Sequence, residues 1–514
     1  FEPTSCQSFL NNPIMPKAAA SGSYDFNQLL QEIGDFGRFQ IFLILFISMV
    51  NIVPTWSMLV MMFAGATPDW TCVENTTVSA NGSMSLSCFR SNCTRLIFEG
   101  DMRTIVSEWN LICDKKWITQ TITTLQMIGQ LVGEFVFGHA GDTFGRKPIF
   151  YLSVTTLLIA NLIAYFSVSW EMFATLRFCI GFFAGGLCCA GTILGELLTS
   201  KWRLNINLFQ SPAVWAGLLA LFCWRLHDWR FVHLAVSIAC VPILLTWRLY
   251  PESFRWYIGK GRYEEAEAVL RHVARVNRKP FPDLTPAWES LLQSTEIKKQ
   301  TNRRIYTFID LFRAKSLMKL TVTLAIIWLA SAFGYYGITF SVQLLSGNLY
   351  LNMFIIGIID YPGSILIVIF NRWGGRRWTS FAFYLVSGAA ALGVGVMQYI
   401  DFDKGWMIQV FAVTSKLFVS AAWGMSTLWC NELYPTVVRR IGGSTIESIG
   451  KIGSMIAPQI LTLSYDLHGL LYLTSGGLMA ISAVACTFLK ETKGLDLQDT
   501  IKRSKHVDLR KDEE

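Results

Sequence analysis

The chain has 514 residues, of which 52% are apolar and only 16% charged, and its mean hydropathy is positive. So few polar residues cannot coat a water-soluble globule, and the composition points to lipid as solvent. The net charge of +8 would suggest nucleic acid in a soluble protein, but its placement in short loops, taken up below, excludes that partner.

Residues 1–38 are expected to form a cytoplasmic segment; the first thirty lack a continuous apolar core, so no cleavable signal peptide is expected there. The first run long enough to span a bilayer is 39–64; a spanning helix needs ~20 mostly apolar residues. A long connection, 65–116, follows. It carries three acceptor sequons, at Asn75, Asn81 and Asn92, and four of the twelve cysteines, Cys72, Cys88, Cys93 and Cys113. An even set in an external loop predicts two disulfides, with three connectivities open. Further runs cover 117–138, 148–168, 171–195, 206–224 and 229–249. The charged stretch 250–316 then intervenes. Within it, Tyr263–Arg271 reads as an amphipathic helix with Ala266, Val269 and Leu270 on one face, expected to lie on the membrane surface and tie the two halves together. Six more runs close the pattern: 317–342, 351–370, 378–398, 405–430, 441–464 and 469–489. A charged tail, 490–514, ends the chain. These runs are too long and continuous for barrel strands, and only helices or closed barrels satisfy their backbone in lipid. The expectation is an all-α membrane protein of twelve helices, arranged as halves 39–249 and 317–489.

Three echoes make the halves related. Glu196-Leu-Leu-Thr-Ser-Lys-Trp-Arg203 matches Glu432-Leu-Tyr-Pro-Thr-Val-Val-Arg439. Gly141-Asp-Thr-Phe-Gly-Arg-Lys147 matches Asn371-Arg-Trp-Gly-Gly-Arg-Arg377. Pro251-Glu-Ser-Phe-Arg255 matches Lys490-Glu-Thr-Lys-Gly494. Internal repeats of this kind are how many membrane carriers are built. Lys and Arg collect after the second, fourth, sixth, eighth and tenth runs, while the alternate short loops are nearly free of net positive charge. By the positive-inside rule both termini face the cytoplasm.

Gly138-His-Ala-Gly-Asp-Thr-Phe-Gly-Arg-Lys147 resembles the loop motif of the major facilitator superfamily; the second copy lacks the Asp. Four further strings are similar to signatures of the organic cation, anion and carnitine transporters (solute carrier family 22): Thr104–Asp114, Pro251–Trp256, Asn431–Arg439 and Glu491–Gly494. The resemblance spans about residues 33–500. It departs in having four rather than six external cysteines, and Leu-Leu-Thr-Ser-Lys-Trp where relatives often have Gly-Pro. It implies the major facilitator fold, alternating access and a site between the halves near mid-membrane.

Asp142, Arg146, Glu196, Arg203, Glu432 and Arg439 are expected to form a cytoplasmic latch, paired when the carrier faces outward and separated when it faces inward. Ionisable residues within a span are functional candidates by default. Lys451 leads: it lies ~15 Å along its helix, near the bilayer centre, beside the small residues Gly450, Gly453 and Ser454. The resemblance implies a basic residue here in anion and carnitine carriers. The competing reading pairs Lys451 with Glu447 one turn earlier. Glu134 and Lys416 are also embedded, with a structural role expected for Lys416. Asp360, before Tyr361-Pro362, is a cation contact or a hinge partner, and Arg177 is expected to organise charge. Tyr335-Tyr336 resembles a tyrosine pair lining the family cavity, with Trp328 nearby; Gln210, Gln126 and Gln130 supply neutral hydrogen bonds. Cation–π contacts of ~0.5–2 kcal/mol give only broad selectivity.

The functional expectation is a plasma-membrane carrier of small organic anions or zwitterions. Its alternatives are a cation carrier using an aromatic cage with Asp360, Glu134 or Glu447, and a transport-inactive receptor on the same scaffold. Zinc spacing, a Gly-x-Ser-x-Gly elbow and a P-loop are all missing from the sequence, so no enzyme, metal or cofactor is expected. The expected partners are a small organic ion, the bilayer and, where transport is coupled, a coupling ion; one copy of the chain suffices.

Overall fold

The computed structural model describes residues 26–34, 36–73, 95–199, 212–284, 288, 309–313, 315–435 and 438–493. Asn75, Asn81, Cys88, Asn92, Cys93, Arg203 and Gln210 lie outside the described residues.

All twelve expected spans are present. α1 comprises Arg38–Val50, Ile52–Leu59 and Met61–Ala64. α2 is Lys116–Phe144 and α3 Arg146–Tyr165. α4 runs from Trp170–Ala184 through a 3-10 turn to Cys188–Glu196. α5 is Ala213–Leu226 and α6 Trp229–Leu245. α7 is Lys315–Phe340. α8 covers Leu349–Ile358 and enters the run Asp360–Tyr399, which breaks at Gly375; beyond that break it is α9. α10 is Gly405–Leu433, α11 Arg439–Leu463 and α12 Leu470–Thr487. Among the described residues eight stretches are apolar and long enough to cross a membrane by composition alone, α8 and α9 counting as one, with the described part of α5, Ala213–Leu226, shorter. α2 and α11 fall outside that set because they carry Gln126, Gln130 and Glu134, and Glu447, Lys451 and Gln459. These two helices pack on each other, so their polar faces meet at the seam between halves instead of lipid.

Close helix approach is set by missing side chains. A Cβ at Gly133 of α2 would run into the backbone oxygen of Phe182 in α4, and one at Gly453 of α11 into that of Leu329 in α7. The halves touch chiefly toward the ends expected to be external. Thr124 of α2 donates to the Met455 carbonyl at 3.1 Å and accepts from Gln459 at 2.9 Å. Phe63 packs on Tyr350, with ring centroids 5.9 Å apart, and Lys116 lies 5.5 Å from the Tyr465 ring centre.

The long connection contains an antiparallel pair that hydropathy did not reveal, β1 (Trp70–Val73) with β2 (Arg95–Phe98), in which Trp70 faces Phe98 and Cys72 faces Leu96. Cys113 is disulfide-bonded. Glu108, in the short helix Ile105–Trp109, pairs with Arg230 and accepts from the Trp229 indole, which fastens this loop to the start of α6.

The amphipathic helix is longer than expected, Tyr263–Asn277, burying Ala266, Leu270, Val273 and Ala274. Its last residue, Asn277, accepts from the Phe39 amide at 2.9 Å and donates to Ile33 and Gln40. The described contacts of this helix are therefore with the N-terminal half, not a tie between halves.

Candidate functional site

The three sequence echoes become two copies of one hydrogen-bonded unit. In the N-terminal half the Arg146 guanidinium pairs with Glu196, and Asp142 lies 3.7 Å away. The Arg146 and Lys147 amides donate to Glu252 at 3.1 and 3.0 Å, and the Ser253 hydroxyl donates to Glu196. In the C-terminal half Arg376 grips Glu432 with two bonds, 3.0 and 2.9 Å. The Arg376 and Arg377 amides donate to Glu491 at 2.9 and 3.0 Å, and the Thr492 hydroxyl donates to Glu432. Each unit turns on a glycine with positive φ, Gly145 (107°) and Gly375 (71°); a Cβ at either would sit 2.6 Å from Glu252 or Glu491. Burial opposes the Glu491 charge, but backbone amides of Arg376, Lys493, Arg377 and Thr492 outweigh it and hold its carboxyl below the usual carboxylate range.

Two of the residues expected to form a state-dependent latch meet here within a single half. Arg146 and Glu196 pair inside one half, and Glu432 pairs with Arg376 inside the other, while Arg439 donates to the Tyr434 carbonyl. Bidentate guanidinium–carboxylate geometry favours such local partners. Sequence reasoning named Arg376 only as part of an echo and missed its pairing; the echo with Arg146 was the available signal.

Between the halves, from mid-membrane toward the charged loops, lies a cavity of about 380 Å³, within the usual range for small-molecule sites. Glu134 of α2 and Cys188 of α4 line it on one side; Trp328 and Tyr336 of α7, Trp423 and Thr427 of α10, and Glu447 and Lys451 of α11 line the other. The Lys451 ammonium is 3.0 Å from Glu134 Oε1, an ion pair across the seam. Gln130 donates to the same oxygen at 3.0 Å. The expected competitor, a Lys451–Glu447 pair within α11, is replaced by this one, and the Glu447 carboxylate makes no hydrogen bond or ion pair with the described residues. The helix approach at Gly450 and Gly453 rotates Lys451 toward α2.

Tyr336 and Trp328 both line this cavity. Tyr335 is not on the lining: its hydroxyl donates to Asp360 at 2.6 Å. Asp360 lies 3.8 Å from the buried Lys416 ammonium, which also donates to Thr339 at 2.7 Å and sits 2.9 Å from the Tyr335 ring centre. Asp360 and Lys416 thus neutralise each other inside the C-terminal half, as buried charges must, and Asp360 does not line the cavity. Trp423, Thr427 and Cys188 were missed, since an aromatic or small residue in an apolar run gives no sign of facing a cavity. Arg177, expected to organise charge, is fully buried with no carboxylate partner among the described residues. A second cavity, about 420 Å³ and lined by Asp401, Asp403 and His468, is built from the C-terminal half alone and lacks a wall from the other half.

The sequence profile of the sugar (and other) transporter family matches residues 70–501. Solute carrier family 22 member 7 of Bos taurus is 32% identical over 405 residues, 77% of this chain and 72% of that protein. Organic cation/carnitine transporter 2 of Homo sapiens is 30% identical over 405 residues, 78% of this chain and 71% of that protein. Among solved structures, the inward open conformation of the xylose transporter XylE from E. coli aligns with a TM-score of 0.62 at 15% identity, covering 89% of this chain and 98% of that one. That likeness shows the twelve-helix major facilitator fold.

Proposed function

We propose, from the premise that this chain belongs to the sugar (and other) transporter family and to solute carrier family 22, that it moves a small organic ion across the plasma membrane by alternating access, and that its preferred substrate is a zwitterion. The observation that carries this reading is the 3.0 Å Lys451–Glu134 pair with Glu447 beside it. One ammonium faces two carboxylates in a confined cavity. A substrate carboxylate would take Lys451 in competition with Glu134, and a substrate ammonium would meet Glu447 and the faces of Trp328, Tyr336 and Trp423. A dicarboxylate would gain Lys451 but face both acids in a site where water is scarce and charges act strongly. Relatives bearing the words organic cation/carnitine transporter support this class.

The cavity lies between mid-membrane and the charged loops while Thr124, Met455 and Gln459 join the halves nearer the opposite ends, which supports an inward-facing state with both termini cytoplasmic. The Arg146–Glu196 and Arg376–Glu432 units would then act as rigid corners that each half carries through the cycle, and Asp142 with Arg439 as contacts that change between states. One copy of the chain holds both walls of the site. A second reading, a monocation carrier, is favoured by Glu447, which makes no hydrogen bond or ion pair among the described residues and lies on the lining with aromatic rings. Uptake by cells expressing the chain decides among a labelled trimethylammonium carboxylate, a tetraalkylammonium ion and a dicarboxylate. Highest uptake of the first is expected; preference for the dicarboxylate would overturn the zwitterion reading, and no uptake of any would favour a receptor on this scaffold.

A further inference from the structure

We propose that the N-terminal half holds a small inorganic anion of chloride's size against Arg177, in a buried site separate from the substrate cavity. Arg177 is on α4 and fully buried, 0% exposed. Its Nη1 donates to the Ser57 carbonyl of α1, and its guanidinium lies 5.8 Å from the Phe173 ring centre. Among the described residues its Nε and Nη2 have no hydrogen-bond partner, and neither does the Ser57 hydroxyl, 1% exposed as a residue. Gln126 of α2 shares the Ser57 carbonyl through its own amide at 3.1 Å, so that oxygen is already doubly engaged. Among the described residues nothing accepts from these three donors, and the nearby polar atoms Gln126 Oε1 and His233 Nε2, neither negatively charged, are without a partner as well.

A guanidinium stays charged even when buried, and an isolated buried charge is strongly unfavourable unless a countercharge meets it. One carbonyl dipole is not a countercharge. Water would satisfy the N–H groups and leave the charge. The neighbouring polar group, His233 on α6, is not a counterion either. Its Nδ1 meets the Asn161 carbonyl oxygen at 2.8 Å, and Asn161 donates its own amide to Leu157. The Asn161 oxygen must therefore accept and Nδ1 carries the proton; with or without a second proton on Nε2, the ring holds no negative charge. An anion accepting from Arg177 Nε, Nη2 and the Ser57 hydroxyl completes the charge balance. The complete burial of Arg177, Ser57 and Gln126 restricts it to a single-atom or similarly compact ion. Lys451 differs in already having Glu134 as its counterion, so the two basic sites do not compete for the same role. The inference stands whichever organic ion the carrier moves.

The test is thermal unfolding of the purified full chain in detergent, at constant ionic strength, as sodium chloride or bromide replaces sodium gluconate. A saturable rise of the midpoint with halide is expected in the wild type and in Lys451→Ala. Arg177→Gln should lose the response. Ser57→Asp, which supplies a carboxylate beside Arg177, should unfold in gluconate as late as the wild type does in chloride and ignore halide. Equal wild-type midpoints in chloride and gluconate would overturn the site. So would a response that survives in Ser57→Asp, which decides the matter even if Arg177→Gln does not fold, and so would a response lost only in Lys451→Ala.

Discussion

Glu134 and Lys451 stand 3.0 Å apart on opposite walls of the cavity, one from each half of the molecule. Lys451 is thereby held at the seam by a carboxylate that any anionic substrate group must displace, and Glu447 stays on the lining without a partner among the described residues.

Lys451→Ala is expected to abolish zwitterion uptake, Lys451→Arg to keep part of it, and Lys451→Asp to shift preference toward cations. Glu134→Gln removes the internal competitor and should lower the KM for a carboxylate substrate while reducing maximal uptake. Tenfold in either constant corresponds to about 1.4 kcal/mol. Uptake kinetics with surface expression measured in parallel check this, and a Glu134→Gln KM above that of the wild type contradicts it.

Glu447→Gln takes away the acid that has no partner among the described residues and leaves the Lys451–Glu134 pair intact. Dicarboxylate uptake should rise relative to that of a quaternary ammonium by about tenfold, the magnitude of one modest charge contact. Competition assays with the two ions read the ratio; an unchanged ratio places Glu447 outside recognition.

The Arg–Glu units are internal to each half, so their charges can be exchanged only within a half. The swap Arg376→Glu with Glu432→Arg should recover more uptake than either single variant, whereas Arg146→Glu with Glu432→Arg should recover none. Removing one member of a partly buried pair leaves the other uncompensated. Asp142→Asn, at the exposed edge of its unit, should lower maximal uptake more than apparent affinity.

Gly133→Ala should lower the amount of folded protein at the cell surface, because its Cβ meets the Phe182 backbone, which cannot rotate away. Overpacking of this kind costs about 1–3 kcal/mol or more. Gly138→Ala, five residues on, meets nothing within 4 Å and should leave surface levels unchanged. Size-exclusion profiles of tagged protein compare the two.

Glu491 is held below the usual carboxylate range by backbone amides despite its partial burial. A carboxyl whose folded value is depressed contributes stability that is complete above its unfolded value and lost as pH falls through the folded one. Glu491→Gln should therefore unfold earlier than the wild type at pH 7, and the gap should close as pH drops below about 4. Unfolding midpoints of both proteins at the two pH values test this; a gap that persists in acid would locate the contribution in shape rather than charge.

Twelve spans and two related halves follow from sequence alone. Each is written in a continuous stretch: a run of ~20 apolar residues is itself the requirement for crossing lipid, and the glycine and Glu-Leu strings recur without reference to any partner. The presence of Lys451 on the cavity was legible for the same reason, since an ammonium within a span is conspicuous wherever it points. Its partner was not. On α11 alone Glu447 is the obvious choice, and only the rotation of the helix at Gly450 and Gly453, packed against Trp328 and Leu329 of α7, turns the ammonium to Glu134 of α2. Likewise Asp360 reads as a site residue until Lys416 and Tyr335 close on it, and Arg177 reads as an ordinary structural cation until its surroundings prove to contain no acid among the described residues. Hydropathy records how much of a helix meets lipid; which face meets which neighbour depends on crossing angle and rotation, and those are fixed by contacts between segments far apart in the chain.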